Sequence, residues 1–365
     1  MTVNAIQDLP LNGRSLQNLA LITPGSASPG PGQNPTGLVN ISFNGQRPES
    51  NQFQLDGVSA NFGIASGGQS PSASASGSTP PLTATGGTNP VTSLNAAQEV
   101  TIRTFGASAE YGRNSGAQIS VVTKAGTNEF HGSALYVFGH DALDANDWFA
   151  NSHSLLQPRH RLGNFGGTLG GPIQRDHWFF FSSYEGLRLR QPVVALTDVP
   201  ALTARSSAPA NTQPLLNLYP SPNGAERPDG FAEFASSFAN AGRHDSGSFR
   251  VDGTPTNNLS VSGYLHFTNS SADERGVGGL SLNTLNRIAN NAQSVTGTAT
   301  YLLSPSVAAE IRANYSHFTS RSSYQLDTFG GAVLPLTSVF TQSGLPADDL
   351  LFSADLNARN AQLLS

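Results

Sequence analysis

The chain has 365 residues, of which 37% are hydrophobic and 12% are charged, with 38 glycines and 23 prolines. This composition excludes a helical enzyme or an acidic disordered tail, and it is typical of strands joined by turns and long loops. A formal net charge of -5 provides no basic field for nucleic acid, and the absence of cysteine excludes disulfides and thiolate metal sites.

The sequence contains no membrane helix and no secretory signal. No apolar run approaches the roughly 20 residues that a membrane helix requires. The first residues, MTVNAIQDLPLNGRS, lack a basic start and an apolar stretch. We therefore expect either that the protein stays inside the cell or that Met1 is not its natural beginning.

Residues 1–124 are predicted to form a small mixed α+β unit. A short helix that is capped by Ser15 carries apolar residues at helical spacing. Alternating strands follow, and they end at the turn dipeptides Asn44-Gly45 and Asp56-Gly57.

The second half of this unit contains a segment of very different composition. Residues 60–93 are dominated by Ser, Gly, Thr, Ala and Pro. They are predicted to form a flexible loop, because they cannot bury enough apolar area to offset their ordering entropy. Alternation resumes at Val100 and Ile102, and the unit ends near Lys124.

From residue 125 to residue 365, strands of about ten residues recur, which is the length that crosses a bilayer as tilted β structure. The predicted strands are 129–138, 161–170, 177–190, 246–253, 258–268, 293–303 and 307–319. Short connections (171–176, 254–257, 304–306) alternate with long ones (139–160, 191–245, 269–292). Outer-membrane barrels show this asymmetry, with short periplasmic turns and long outside loops.

Two of these strands separate apolar from polar residues clearly. In 258–268, one face carries Leu259, Val261, Gly263, Leu265 and Phe267, and the other carries Ser260, Ser262, Tyr264, His266 and Thr268. In 307–319, one face carries Val307, Ala309, Ile311, Ala313 and Tyr315, and the other carries Glu310, Arg312, Asn314 and Ser316. One side of the sheet is therefore expected to face lipid and the other water. The aromatic clusters at Trp148-Phe149 and at 178–181 lie near strand ends, where interfacial girdles are expected.

Several segments resemble a known family in their order along the chain. They are LPLNGRSLQNLALITPG (9–25), SFNGQRPESNQFQLDGV (42–58), AQEVTIRTFGASAEYGRNSGAQISVVTKAGTNEFHGS (97–133), DALDANDWF (141–149), NFGGTLGGPI (164–173) and HWFFFSSYEGLR (177–188). They resemble the TonB-dependent outer-membrane receptors, within them the Oar-like branch. After residue 190, the strand pattern alone supports this assignment.

The resemblance implies a plug domain over 1–124, followed by the first strands of a large antiparallel barrel of about 22 strands over 125–365. The plug-motif residues are Asn12, Gly13, Arg14, Asn44, Gly45, Arg47, Leu55, Asp56, Gly57, Glu110, Tyr111, Gly112, Arg113 and Gly116. In the family, plug arginines pair with barrel carboxylates, so Arg47 and Arg113 are candidates for a lock that holds the plug in the lumen. The implied partners are TonB with its inner-membrane motor complex, outer-membrane lipid and an unknown extracellular ligand.

The chain departs from the family pattern at both ends. The family begins with a signal peptide and a TonB-contacting segment, often with a carboxypeptidase-regulatory-like domain before the plug, and its barrel ends in a terminal aromatic. This chain ends in NARNAQLLS. We therefore expect an interior fragment whose strands leave two unpaired edges.

Metal and catalytic sites are not predicted. The oxygen-rich group Asp141, Asp144, Asn146 and Asp147 lacks the spacing of a calcium loop. The histidines His131, His140, His153 and His160 have no repeated ligand spacing. No nucleophile elbow, phosphate-binding loop, dinucleotide fingerprint or zinc-protease helix occurs, and the Gly-rich GNFGGTLGGP is better explained by close strand packing.

The resulting hypothesis is a TonB-dependent outer-membrane receptor that imports a scarce nutrient and has no enzymatic activity or cofactor. Binding is expected at the plug apex and the long loops, including 60–93 and 191–245. The ligand stays open among a siderophore, a corrinoid, a glycan and a peptide. The alternatives are an Oar-like adhesion or secretion-related structural protein and a soluble all-β glycan hydrolase, which needs two positioned carboxylates.

Overall fold

The computed structural model describes residues 20–27, 41–47, 50–64, 76–87, 89–104, 115–334, 351–356 and 359–364. The N-terminal strands are β1 Ser26–Ala27, β2 Ser42–Phe43, β3 Gln52–Leu55, β4 Val58–Ser59, β5 Gly63–Ile64, β6 Ser76–Thr79, β7 Ala97–Arg103 and β8 Gln118–Thr123. The later strands are β9 His131–His140, β10 Arg161–Gln174, β11 Trp178–Pro200, β12 Phe231–Thr256, β13 Leu259–Arg275, β14 Thr284–Ser304, β15 Val307–Leu326, β16 Leu351–Leu356 and β17 Arg359–Leu364. Short helices lie at Trp148–Ser152, Leu202–Ser207 and Gln213–Leu216. In the described ranges, no helix combines the length and the apolar character needed to cross a bilayer.

Strands β9 to β15 form one seven-stranded antiparallel sheet, called the large sheet below, in which each strand pairs with its neighbours in sequence. Short turns at 175–177, 257–258 and 305–306 alternate with connections at 141–160, 201–230 and 276–283. The predicted alternation and the mainly β fold class are therefore confirmed.

The predicted strand ends and long connections need a correction, because several strands continue far past the predicted residues. Strands β11 and β12 stay paired up to Pro200 and Phe231, which reduces the predicted loop 191–245 to 201–230. The reason is that an antiparallel backbone ladder needs no apolar side chains. The apolar alternation identified only the part of each strand in which the side chains of one face are apolar.

The two faces of the large sheet differ as the sequence predicts. On β13, Leu265 and Phe267 are 46% and 37% exposed, whereas Tyr264, His266 and Thr268 are 5%, 2% and 0% exposed. We call the side that carries Leu265 the outward face and the side that carries Tyr264 the inner face. On edge strand β15, Ile311 and Tyr315 also lie on the outward face and are well exposed.

A second, four-stranded sheet of strand order β4-β3-β8-β7 lies against the inner face. We call it the N-terminal sheet. Its strands β3 and β8 are parallel, and the other pairs are antiparallel. Its core includes Phe43, Val100, Ile119 and Val121, and Tyr264 of β13 belongs to the same cluster. One residue of the large sheet, Tyr264, therefore joins the hydrophobic core of the N-terminal sheet. The predicted domain boundary near Lys124 stays a prediction; β8 ends at Thr123 and β9 begins at His131.

The flexible loop predicted for 60–93 needs a correction at its C-terminal end. Of these residues, Thr83, Ala84, Val91 and Thr92 are 1%, 4%, 2% and 1% exposed. The prediction failed because it counted only apolar area. The segment lies against the polar inner face, where Ala84 and Thr92 form hydrogen bonds, and these bonds compensate for its ordering entropy.

Candidate functional site

The candidate site is the contact between the N-terminal sheet and the inner face of the large sheet. At its centre is the turn that joins β3 to β4, where Asp56 and Gly57 have φ values of 48° and 77°. This geometry is typical of the Asp-Gly dipeptide in a tight hairpin. One carboxylate oxygen of Asp56 accepts from Thr123 N at 2.9 Å, and the other accepts from Thr123 Oγ1 at 2.7 Å. The turn is thereby fixed to the end of β8.

Arg250 of β12 connects this turn to the large sheet. Its Nη1 donates to Thr123 Oγ1 at 2.6 Å and lies 3.5 Å from Asp56 Oδ2. On its other side, Nε and Nη2 donate to the Asp252 carboxylate at 2.8 Å. The side chains of Arg250, Asp56 and Asp252 are 17%, 20% and 22% exposed. Because the guanidinium is held by a carboxylate of its own strand, it is positioned in advance for Asp56.

The neighbouring residue, Gly57, is contacted by the edge strand β15 of the large sheet. A Cβ on Gly57 would overlap the guanidinium of Arg312 on β15. Arg312 is in turn held by Glu310 at 2.6 Å. Since β12 and β15 are separated by two strands, the large sheet curves around the Asp56-Gly57 turn.

A row of hydrogen bonds joins the segment 82–92 to β13 and β14. Thr92 Oγ1 is 3.3 Å from the Tyr264 hydroxyl, and Ala84 N donates to Ser270 Oγ at 2.9 Å. Asn290 Nδ2 donates to the Leu82 carbonyl at 3.0 Å. This interface is therefore mostly polar.

The inner face beneath the N-terminal unit is lined with buried polar side chains. Ser246 Oγ is 3.1 Å from His266 Nε2 and accepts from Thr268 Oγ1 at 3.2 Å. His244 is 4% exposed, and neither of its ring nitrogens has a hydrogen-bond partner in the described ranges. Glu185 shares this face and is 1% exposed. A surface of this kind suits a hydrated lumen better than a permanently dry core.

Several predicted motif residues fall in the N-terminal unit. Asn44 and Gly45 form a tight turn with φ values of 52° and 76°. Leu55 is 8% exposed and belongs to the core. A Cβ on Gly116 would come within 2.6 Å of the Ser50 carbonyl oxygen, so a glycine is needed at this close approach.

The predicted arginine lock receives no support at Arg47. Its side chain is exposed, and no described carboxylate forms an ion pair with it. The other lock candidate and the remaining motif residues lie outside the described residues. These are Arg113, Asn12, Gly13, Arg14, Glu110, Tyr111 and Gly112.

Sequence reasoning missed three structural residues, which are Asn51 inside the N-terminal unit and Arg250 and Tyr264 at the interface. Asn51 is buried, donates to the Ile41 carbonyl at 2.7 Å and accepts from Ala117 N at 2.9 Å. Arg250 and Tyr264 supply the contacts from the large sheet. The position of Tyr264 on the polar face of an alternating strand was a usable signal, whereas Asn51 carried none.

The connections at the far end of the large sheet are folded. Arg205 donates to the carbonyls of Pro200 and Tyr219 at 3.0 and 3.2 Å, and burial lowers the pKa of its guanidinium. Leu218 and Tyr219 are 0% and 1% exposed. The connection 201–230 is therefore packed, and the hydrogen bonds from Arg205 to backbone carbonyls stabilise it.

A cavity of about 500 Å³ lies between the connection 141–160 and the outward face of β11. Its lining is mixed, with Asp144, Asp147 and His160 on one side and Pro192 and Leu196 on the other. The His160 ring contacts the Asp144 carboxylate, and Asp147 caps the helix Trp148–Ser152. Among the described residues, no three carboxylates or histidines come together as a metal site.

The aromatic clusters separate into two groups. Trp148 and Phe149 are exposed and pack edge to face with ring centroids 5.0 Å apart. Trp178 and Phe180 lie on the outward face of β11, whereas Phe181 points inward and is 2% exposed.

Comparison with known proteins assigns the family. The model of a family described as "Outer membrane beta barrel domain" matches residues 122–355. The chain belongs to this outer membrane β-barrel family. Its location is therefore the outer membrane, and the large sheet is a section of barrel wall.

A curated protein and a solved structure are each similar to a large part of this chain. The TonB-dependent transporter Oar of Myxococcus xanthus is 30% identical over 178 residues, which cover 47% of this chain and 14% of Oar. The outer membrane transporter YddB from Escherichia coli superimposes with a TM-score of 0.59 at 14% identity, over 89% of this chain and 39% of YddB. The match to Oar confirms the predicted resemblance to the TonB-dependent outer-membrane receptors of the Oar-like branch. The chain spans less than half the length of either relative.

Proposed function

We propose that the protein imports a scarce nutrient across the outer membrane, with the N-terminal unit acting as a plug that an inner-membrane TonB complex displaces. The observation that carries this proposal is the contact of Asp56 and Thr123 with Arg250 on the inner face of the wall. No catalytic role is proposed.

The polarity of the interface supports a plug that moves. Thr92, Ala84 and Leu82 meet the wall through hydrogen bonds, and water can replace each of these bonds when the unit shifts. The net free energy lost for each such bond is about 1 kcal/mol. An apolar interface of the same size would cost far more to open, because its area would have to be rehydrated.

The proposed ligand-binding region lies at the end of the wall with the long connections. The folded connection 201–230 and the cavity beside 141–160 offer both polar and apolar groups there. Loops on a rigid scaffold commonly carry binding residues. A siderophore, a corrinoid, a glycan and a peptide all remain candidates.

The length of β11 and β12 favours a second function, surface adhesion. These strands have 23 and 26 residues, whereas about 9 to 11 residues cross a bilayer. The hairpin therefore extends well beyond the membrane, which also suits an Oar-like structural role.

The test compares a deletion strain, its complemented form and a strain without TonB. Each grows with one candidate nutrient as the limiting source of iron, cobalamin, carbon or nitrogen. Import predicts that deletion and loss of TonB abolish growth on the same nutrient. Growth that is unchanged on every nutrient, together with loss of surface attachment, would refute import and support adhesion.

A further inference from the structure

The outward face of the large sheet carries a compact cluster of arginines on three adjacent strands. Arg161 of β10 lies directly opposite Arg190 of β11, and Arg188 of β11 lies directly opposite Arg243 of β12. Directly opposed residues have Cβ atoms about 5 Å apart, and residues two apart on one strand are separated by about 7 Å. All four side chains are exposed. We call these four residues the arginine patch.

The protein neutralises only part of this charge. Asp245 binds Arg188 through both carboxylate oxygens, at 2.8 and 3.1 Å. Arg243 donates to the Ser271 hydroxyl at 3.0 Å. Within the described ranges, Arg161, Arg190 and Arg243 form no ion pair with a carboxylate. Like charges that face each other across strands are destabilising unless an anion bridges them.

The position of the patch indicates which anion is available. Below it, towards the short turns, the outward face carries Phe165 and Tyr184, whose rings pack 6.2 Å apart. Tyr184 is four residues before Arg188, or about 13 Å along the strand. Phe138 is exposed beside the patch on β9. Arginines that lie just beyond a lipid-facing apolar surface are at the depth of the lipid headgroups.

The charge and the depth together point to one occupant. We propose that the arginine patch binds the phosphate groups of a phosphorylated lipid in the outer leaflet. The choice of leaflet rests on the proposed orientation, in which the long connections face outside. Guanidinium groups bind phosphate oxygens in pairs, and a lipid with two phosphates matches two opposed arginine pairs.

The test uses the full-length protein in neutral detergent, with diphosphorylated lipid A as the probe. Binding is measured by native mass spectrometry and by the shift in melting temperature. R161Q/R190Q removes the pair that has no carboxylate, and R175Q/R227Q is the matched control. Arg175 lies in a short turn, and Arg227 pairs with Asp198, eight residues beyond Arg190. We expect R161Q/R190Q to weaken lipid A binding at least tenfold and to abolish the thermal shift, with the control unchanged.

Two further arms keep the proposal falsifiable. R161K/R190K keeps the charge and should recover part of the binding, and heat-modifiable migration on gels shows whether each variant is folded. Equal lipid A binding by wild type and R161Q/R190Q would overturn the proposal. Full competition by an equal concentration of inorganic phosphate would also overturn it, because the patch would then be a site for free anions. Neither outcome depends on nutrient uptake.

Discussion

The carboxylate of Asp56 is the most informative group to change, because it belongs to the N-terminal sheet and meets the barrel wall. D56N keeps one oxygen that can accept from Thr123 N. It replaces the oxygen that accepts from Thr123 Oγ1 at 2.7 Å with an NH₂ group. It also removes the charge that lies 3.5 Å from Arg250 Nη1. The substitution therefore tests the link without removing side-chain volume.

The expected cost follows from these contacts. A hydrogen bond to a charged group contributes about 1.5–3 kcal/mol, and a partly exposed ion pair adds about 0.5 kcal/mol. We therefore expect D56N to lower the local free energy of opening by about 2–3.5 kcal/mol. At about 1.4 kcal/mol for each factor of ten, backbone amides in β8 should exchange with solvent about 30- to 300-fold faster.

Hydrogen exchange followed by mass spectrometry measures this directly on the peptide that covers Gln118–Thr123. D273N is the matched control, because Asp273 lies on the outward face and pairs with Arg287, not with the N-terminal sheet. It should change the exchange of β8 by less than about threefold. Exchange in D56N within threefold of wild type would refute the reasoning.

Three further predictions concern other parts of the fold. G57A should lower the free energy of unfolding by about 1–2 kcal/mol, because Gly57 has a φ of 77°. Adding R312A to G57A removes the guanidinium that a Cβ would overlap but leaves this backbone strain, so the denaturant midpoint should not return to that of wild type. Burial lowers the pKa of the Lys124 ammonium, so the unfolded chain holds this proton more tightly. K124M should therefore raise the denaturant midpoint at pH 7, and its advantage should shrink as pH rises from the lowered folded-state pKa to the ordinary lysine value; an advantage independent of pH would contradict this. R205M removes the donors to the Pro200 and Tyr219 carbonyls. It should cost about 3 kcal/mol and expose 201–230 to limited proteolysis, whereas unchanged cleavage would count against a structural role.

The large sheet was predictable because its outward face must be apolar wherever it meets lipid. The alternation of Leu265 and Phe267 with His266 and Thr268 is a direct consequence of a period of two. The alternation of short and long connections was predictable for the same reason, since each strand must reach the opposite surface. The continuation of β12 back to Phe231 was not predictable, because no apolar pattern is required outside the membrane.

At the interface between the two sheets, the contribution of the N-terminal sheet was predictable from the sequence, and that of Arg250 on the large sheet was not. The Asp56-Gly57 turn has a strong local signal, which is its preference for positive φ. Its partner Arg250 has none, because a lone arginine on a polar strand face is usually solvated. The burial of Thr83 and Thr92 also escaped prediction, since small polar residues become buried only when a matching polar surface is present.

The most direct test of the plug within the barrel wall uses the absence of cysteine from the sequence. Ala84 N lies 2.9 Å from Ser270 Oγ across the interface, so A84C/S270C in the full-length protein places two thiols side by side. We predict that mild oxidant links them in isolated outer membranes, and that the link blocks TonB-dependent growth until a reductant is added. A control pair, A84C/S306C, should not link, because Ser306 lies in a short turn. Two results would contradict the proposal that the N-terminal unit is a plug that moves against this wall. One is that A84C/S270C stays unlinked in folded protein, and the other is that the linked protein still supports growth.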